Sequence, residues 1–282
     1  MPLLPSLLLF AGCAATTSGL TITTTAPNGA SEQIPVMVSK PDGPGPFPAV
    51  VIMHDCSGLG FSSSGAPGRW AAELVQRGYV VILPDSFSSR GYSGGVCTVP
   101  LSQRRVDVSF ERRARDAYAA LAYVRALPYV DGRRVGIMGG SHGGATTLAA
   151  MIAPASDAEP LAREKRAGFA AAVALYPRCA VKTSSAYKPV APLLILIGEK
   201  DDWTPAEACR KLTEAARAAG HPVAIKVYPG AHHSFDSSYP VRYVAARINP
   251  YSPSGRGATT GGDRDAWADS IREVAAFFGR HL

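Results

Sequence analysis

Two hydrophobic patterns alternate along the chain. Residues 47–54, 79–85, 133–140, 168–177, 191–199 and 223–230 are short, almost continuously apolar runs, whereas 20–25 (LTITTT) and 32–40 (EQIPVMVSK) alternate apolar with polar positions. Continuous runs belong to strands covered on both faces, as in a parallel sheet, and alternating runs to strands with one wet face. Between them lie helical signals. In residues 106–127, Val106, Phe110, Ala117, Leu121 and Val124 recur at three- and four-residue steps, so one stripe packs inward. Residues 205–220 open on Pro205 and close on Gly220, the usual start and stop residues of a helix, and residues 263–282 form a last helix. Strand and helix in turn predict an α/β fold, with a mostly parallel central sheet of about eight strands and helices on both faces. The stretch 234–262, rich in Gly, Pro, Ser and Tyr, reads as a long loop able to border a site.

At 282 residues and 46% hydrophobic content the chain suits one large domain, expected over residues 19–282. Residues 1–18 differ in kind. Their apolar run, Leu7 to Phe10, is too short for a bilayer span and is followed by small residues, which predicts an export leader. Its end, "FAGC", resembles a bacterial lipoprotein box, in which Cys13 would carry lipid and anchor the protein to a membrane. In an oxidising compartment the other four cysteines would pair. Cys56 and Cys97 both follow strand-like runs on one edge, and Cys179 and Cys209 flank another strand, so the expected bridges are 56–97 and 179–209.

Net charge is +7, but the basic groups Arg112/Arg113/Arg115, Arg133/Arg134 and Arg163/Lys165/Arg166 each stand beside an acidic residue or a turn. They read as solvated surface, and no nucleic-acid-binding motif accompanies them. There is no metal-ligand spacing, and "GGSHGG" lacks the lysine of a phosphate-binding loop, so neither metal nor cofactor is expected.

The sharpest chemical signal is Gly139-Gly140-Ser141-His142-Gly143, a G-x-S-x-G pattern between a strand run and a helix run. Such a turn strains the serine backbone and requires small neighbours two places away, at Gly139 and Gly143. A serine hydroxyl is a weak nucleophile unless a base takes its proton, and the base needs an orienting carboxylate. Asp201 and Asp202 follow one strand run, and His232 and His233 follow the next. Ser, Asp, His is the α/β-hydrolase order. The pattern alone leaves the partner within each pair open.

Four segments, "PDSFSSRGYSGGVC", "IMGGSHGGATTL", "LILIGEKDDWTPAEAC" and "YPGAHHSFD", resemble the dienelactone hydrolase family, and the similarity runs from about Gln33 to the C-terminus. The resemblance implies Ser141 as nucleophile, Asp201 as acid and His233 as base, with Asp202 a hydrogen-bonding neighbour and His232 a loop residue. It also implies an oxyanion site made by the backbone N–H groups of His142 and Cys56, with His54 and Asp55 shaping the loop. The name-giving dienelactone hydrolases use cysteine where this chain has Ser141, which points to hydrolysis of ordinary small-molecule esters or lactones. A serine peptidase or amidase with the same triad, and a non-catalytic exported binding lipoprotein, are the rival readings. Trp203, Tyr92, Phe61 and Tyr176 could line a pocket or simply pack. Arg90 and Arg178, past strand ends, could hold a substrate carboxylate but read as surface arginines.

Overall fold

The computed structural model describes residues 15–153, 164, 168–179 and 187–282. Residues 1–14 of the expected leader, with Cys13, and the basic group Arg163/Lys165/Arg166 lie outside these residues. Eight strands, β1 (Ala15–Thr25), β2 (Ser31–Lys40), β3 (Phe47–Met53), β4 (Val80–Pro84), β5 (Val130–Gly140), β6 (Ala171–Leu175), β7 (Leu193–Gly198) and β8 (Val223–Tyr228), form one sheet in the order β1-β2-β4-β3-β5-β6-β7-β8. The alternating sequences are the antiparallel part: β1 pairs with β2, and β2 with β4. A turn from Ala26 to Gly29, closed by the Gly29 N–H on the Ala26 carbonyl at 2.9 Å and ending on Gly29 at φ 84°, joins the first pair, a three-residue hairpin with a left-handed glycine. The remaining neighbours are parallel, and β4, β6 and β7 are buried at every position.

Among the described residues five helices cover the sheet: α1 (Ala66–Gln76), α2 (Phe110–Arg125), α3 (His142–Met151), α4 (Ala206–Ala218) and α5 (Arg264–His281). Trp70 of α1 meets Trp267 of α5 edge-on at 4.7 Å. On α2, the Tyr118 hydroxyl donates to the Ala150 carbonyl of α3 at 2.8 Å. Ile82, Ile137, Val173 and Ile195 are fully buried between these layers, each contributing about 1.5–3 kcal/mol by leaving water. Among the described residues no helix is long and apolar enough to cross a membrane.

Four sequence expectations need correction. First, part of 234–262 is a hairpin, β9 (Arg242–Ile248) with β10 (Arg256–Thr260). Most of β9 is exposed, so burial imposes no clean alternation and the strand is invisible to hydrophobic patterning. Second, Arg112 and Arg113 are buried rather than solvated, and third, so is Arg90. Arg90 grips Asp116 with two hydrogen bonds, of 2.7 and 2.9 Å, and reaches Glu32 at 2.9 Å. Arg112 bonds the same two carboxylates. A buried cation is tolerated when paired in this way. Fourth, Val106 lies outside α2 and is 39% exposed, so the inward stripe starts at Phe110.

Sulfur–sulfur bonds join Cys56 to Cys97 and Cys179 to Cys209, with lengths of 2.06 and 2.03 Å.

Candidate active site

Ser141 stands alone between the end of β5 and the start of α3, with φ 53° and ψ −114°. That backbone conformation costs on the order of 1–3 kcal/mol and must be imposed by its surroundings. The crossing is too tight for side chains on either flank. A Cβ on Gly143 would lie 1.9 Å from the Met53 carbonyl oxygen, and one on Gly139 would lie 2.5 Å from the Gly143 carbonyl carbon. The Ser141 N–H is tied to the Leu175 carbonyl at 2.9 Å, which holds the turn against β6. Tyr176 and Ser234 are the other described non-glycine residues at positive φ. Both adjoin the same site.

His233 follows β8 and Asp201 follows β7, so parallel neighbouring strands deliver them to one edge of the sheet. The His233 Nε2 lies 2.9 Å from the Ser141 Oγ, and its Nδ1 lies 2.8 Å from the Asp201 Oδ2. Facing a carboxylate, Nδ1 carries the hydrogen, which leaves Nε2 as an acceptor pointed at the serine hydroxyl. Asp201 is itself held. Its Oδ1 accepts the N–H groups of Trp203 and Thr204 at 3.0 and 2.7 Å, and the Thr204 hydroxyl lies 2.9 Å from Oδ2. His233 is wholly buried, and the rings of Tyr176 and Trp203 stand 4.7 Å from its own.

The neighbours left open by the sequence pattern face elsewhere. Asp202 accepts the N–H and hydroxyl of Thr259 in β10, both at 2.8 Å, and so fastens the hairpin beside the site. His232 Nδ1 lies 3.1 Å from the Lys200 carbonyl. Just past β10 the Gly261 N–H donates to the His233 carbonyl at 3.0 Å, and the Ile248 carbonyl of β9 accepts the Trp203 indole N–H at 2.7 Å.

His142 is the first residue of α3, where backbone N–H groups have no intrahelical acceptor and the helix end carries partial positive charge. Cys56 lies in the loop after β3. Among the described residues, neither N–H meets a protein acceptor. The Cys56 loop is held by Asp55, whose carboxylate accepts the Ser57 N–H at 2.7 Å and the Ser64 hydroxyl. It is also held by the bond to Cys97, whose carbonyl accepts the N–H of Ile248 in the hairpin at 3.0 Å.

Of the remaining candidates, Tyr176 and Trp203 are packing residues around His233, Tyr92 is partly buried, and Phe61 and Arg178 are exposed. Thr204 and Arg113 were not anticipated. A signal for Arg113 existed, since it falls within the same inward arc of α2 as Phe110 and Ala117. Among the described residues no cluster of His, Cys, Asp or Glu could hold a metal ion.

A serine at a strand-to-helix turn, joined through histidine to a carboxylate, is the arrangement the sequence resemblance implied. The model of the dienelactone hydrolase family matches residues 34–282. The chain belongs to the dienelactone hydrolase family. A Methylorubrum extorquens protein named "Putative carboxymethylenebutenolidase" is 28% identical over 75% of this chain and 71% of its own length. Among solved structures, a "Putative Dienelactone Hydrolase" from Klebsiella pneumoniae subsp. pneumoniae has a TM-score of 0.66 at 22% identity, covering 94% of this chain and 99% of the other. Thermogutta terrifontis esterase 2 in its apo form has a TM-score of 0.64 at 18% identity, covering 95% and 94%. The likeness of fold to these two structures extends over nearly the whole chain.

Proposed function

We propose that this protein is a serine hydrolase that cleaves carboxylic ester or lactone bonds of small molecules through an acyl-enzyme on Ser141. The observation that carries this reading is the unbroken hydrogen-bonded line from the Asp201 carboxylate through the His233 ring to the Ser141 hydroxyl. Membership of the dienelactone hydrolase family and the carboxymethylenebutenolidase name of the Methylorubrum relative support it.

In the proposed reaction His233 Nε2 takes the Ser141 proton as Oγ bonds to the substrate carbonyl carbon. The carbonyl oxygen becomes an oxyanion facing the N–H groups of His142 and Cys56. Collapse of this intermediate breaks the bond to the leaving oxygen, which receives the proton from His233. Water then repeats the sequence on the acyl-enzyme: its proton goes to His233, its oxygen to the acyl carbon, and Ser141 recovers its hydrogen as the carboxylic acid departs. Asp201 holds the ring through both halves and offsets the charge of the imidazolium.

The decisive experiment is labelling with a fluorophosphonate probe. Wild-type protein is expected to label and to hydrolyse p-nitrophenyl esters, and Ser141→Ala is expected to lose both, with turnover falling roughly a millionfold. Retained turnover in Ser141→Ala would overturn the reading. The two disulfides fit an exported protein in an oxidising compartment. Anchoring through lipid on Cys13 is part of the same proposal, and the mass of the mature N-terminus tests it.

A further inference from the structure

The residues beneath the two backbone donors form a connected set that the proposed reaction does not yet use. The Asp55–Cys56 peptide is fixed through its carbonyl. Oxygen of Asp55 accepts from His54 Nδ1 at 2.8 Å and from the Gly58 N–H at 3.3 Å. In a trans peptide the C=O and N–H point in opposite directions, so anchoring the oxygen aims the Cys56 N–H the other way. The hydrogen on His54 is assigned by its second nitrogen. Nε2 accepts the Ser86 N–H at 3.2 Å, which leaves Nδ1 as the donor. Complete burial, and after it the charge of Arg113, push the His54 pKa down to about 3, so this neutral tautomer persists at any ordinary pH.

Arg113 connects that loop to the elbow. It is fully buried, and it donates to the His54 carbonyl and to His142 Nδ1, both at 2.7 Å. Its guanidinium has no carboxylate within hydrogen-bond distance among the described residues, and its buried Nε has no partner. Burial lowers its pKa to about 9. The Phe87 ring packs the set together, 4.5 Å from the ring of His54, 5.6 Å from that of His142 and 4.8 Å from the guanidinium carbon. A buried cation without a paired carboxylate is an expensive way to fill a core. What it does here is hold, from one rigid fork, the two segments that carry the Cys56 and His142 N–H groups.

We propose that His54 and Arg113 are positioning residues for the oxyanion site: His54 sets the direction of the Cys56 N–H, and Arg113 fixes the distance between that N–H and the one on His142. The inference rests on the serine-hydrolase reading above and assigns the side chains that would make its oxyanion site rigid before substrate arrives.

The test compares His54→Leu, His54→Asn, Arg113→Met and Arg113→Lys on a p-nitrophenyl ester, with active sites counted by fluorophosphonate titration. Removing one oxyanion donor costs about 10²- to 10³-fold in kcat, so His54→Leu is expected to lose about a hundredfold per titrated site with KM little changed. His54→Asn, which keeps a donor near the Nδ1 position, should recover most of that loss. Arg113→Lys should fall between wild type and Arg113→Met. Affinity for a trifluoromethyl ketone, whose serine adduct carries an oxyanion, should drop in parallel with kcat, whereas affinity for the product carboxylate should not. A residue that only stabilised the fold would reduce the number of titrated sites and leave kcat per site intact. That result, or equal kcat in His54→Leu and His54→Asn, overturns the inference while Ser141→Ala still tests the reading beneath it. If the leucine variant does not fold, the ¹⁵N shifts of the wild-type His54 ring decide: the Nδ1–H form supports the inference, and the Nε2–H form refutes it.

Discussion

Two buried polar clusters lie within one hydrogen bond of each other and have opposite designs. In the first, Arg90 and Arg112 face Glu32 and Asp116, with the Thr24 hydroxyl donating to Asp116 at 3.0 Å. Two cations meet two carboxylates, and every charge has its complement. In the second, around Ser141, the buried groups are histidines, a carboxylate shared among backbone N–H groups, and an arginine that donates to a carbonyl and a ring. Here, among the described residues, the Cys56 and His142 N–H groups meet no protein acceptor and the Arg113 Nε has no partner. Ser86 joins the two, since its carbonyl accepts from Arg90 at 2.8 Å and its N–H donates to His54. Saturation marks a cluster that holds strands and helices together, and incomplete saturation marks one kept for a ligand.

The sharpest way to break this contrast is at Asp201. Because two backbone N–H groups engage its Oδ1, an asparagine there would keep its oxygen on them and turn its amide nitrogen toward His233. The ring would then be held in the wrong tautomer, and Asp201→Asn is expected to reduce kcat about 10⁴-fold with unchanged thermal stability. A loss under tenfold would show that the carboxylate is structural.

The next effect reverses the readouts. Arg90→Met leaves the buried Asp116 with one cation in place of two, and removing a partner from a buried pair costs about 3–5 kcal/mol. Urea unfolding should show that loss, while kcat per folded molecule stays near wild type. Lost turnover with intact stability would erase the distinction between the clusters.

The smallest effect is in pH, where the clusters separate. His54 is held near 3 in the folded protein, so between about pH 6.5 and 3 the unfolded chain binds a proton that the folded one does not. Stability therefore falls as pH drops through 6.5. For Glu32, burial opposes the charged form but is outweighed by the hydrogen bond from Arg90 and the charge of Arg112, so its pKa lies below 4.5. Its contribution is present above pH 4.5 and is lost on acidification below it. Urea midpoints should begin to decline near pH 6.5, and His54→Asn should reduce the slope between about 6.5 and 3, leaving in place the loss of the Glu32 contribution below 4.5.

How much was legible in the sequence follows from how each feature is encoded. Continuous apolar runs announced the parallel strands because burial on both faces leaves no room for polar positions. G-x-S-x-G announced the elbow because backbone crosses backbone at Gly139 and Gly143, and no side chain fits. The hairpin was missed because its pairing uses main-chain groups and most side chains of β9 face water. Arg90, Arg112 and Arg113 were misread because a cation's partner, unlike a methyl group's, can come from anywhere in the chain; Glu32 is 58 residues from Arg90.

The residue types, their order and the strand-to-helix rhythm were thus set by local composition, since periodicity and turn chemistry act over a few residues at a time. Which of Asp201 and Asp202 faces His233, where the Asp55–Cys56 peptide points, and whether a buried guanidinium meets a carboxylate or a carbonyl were decided only when distant segments packed together. Hydrogen bonds are satisfied within a few tenths of an ångström, and no stretch of sequence read by itself carries distances of that kind.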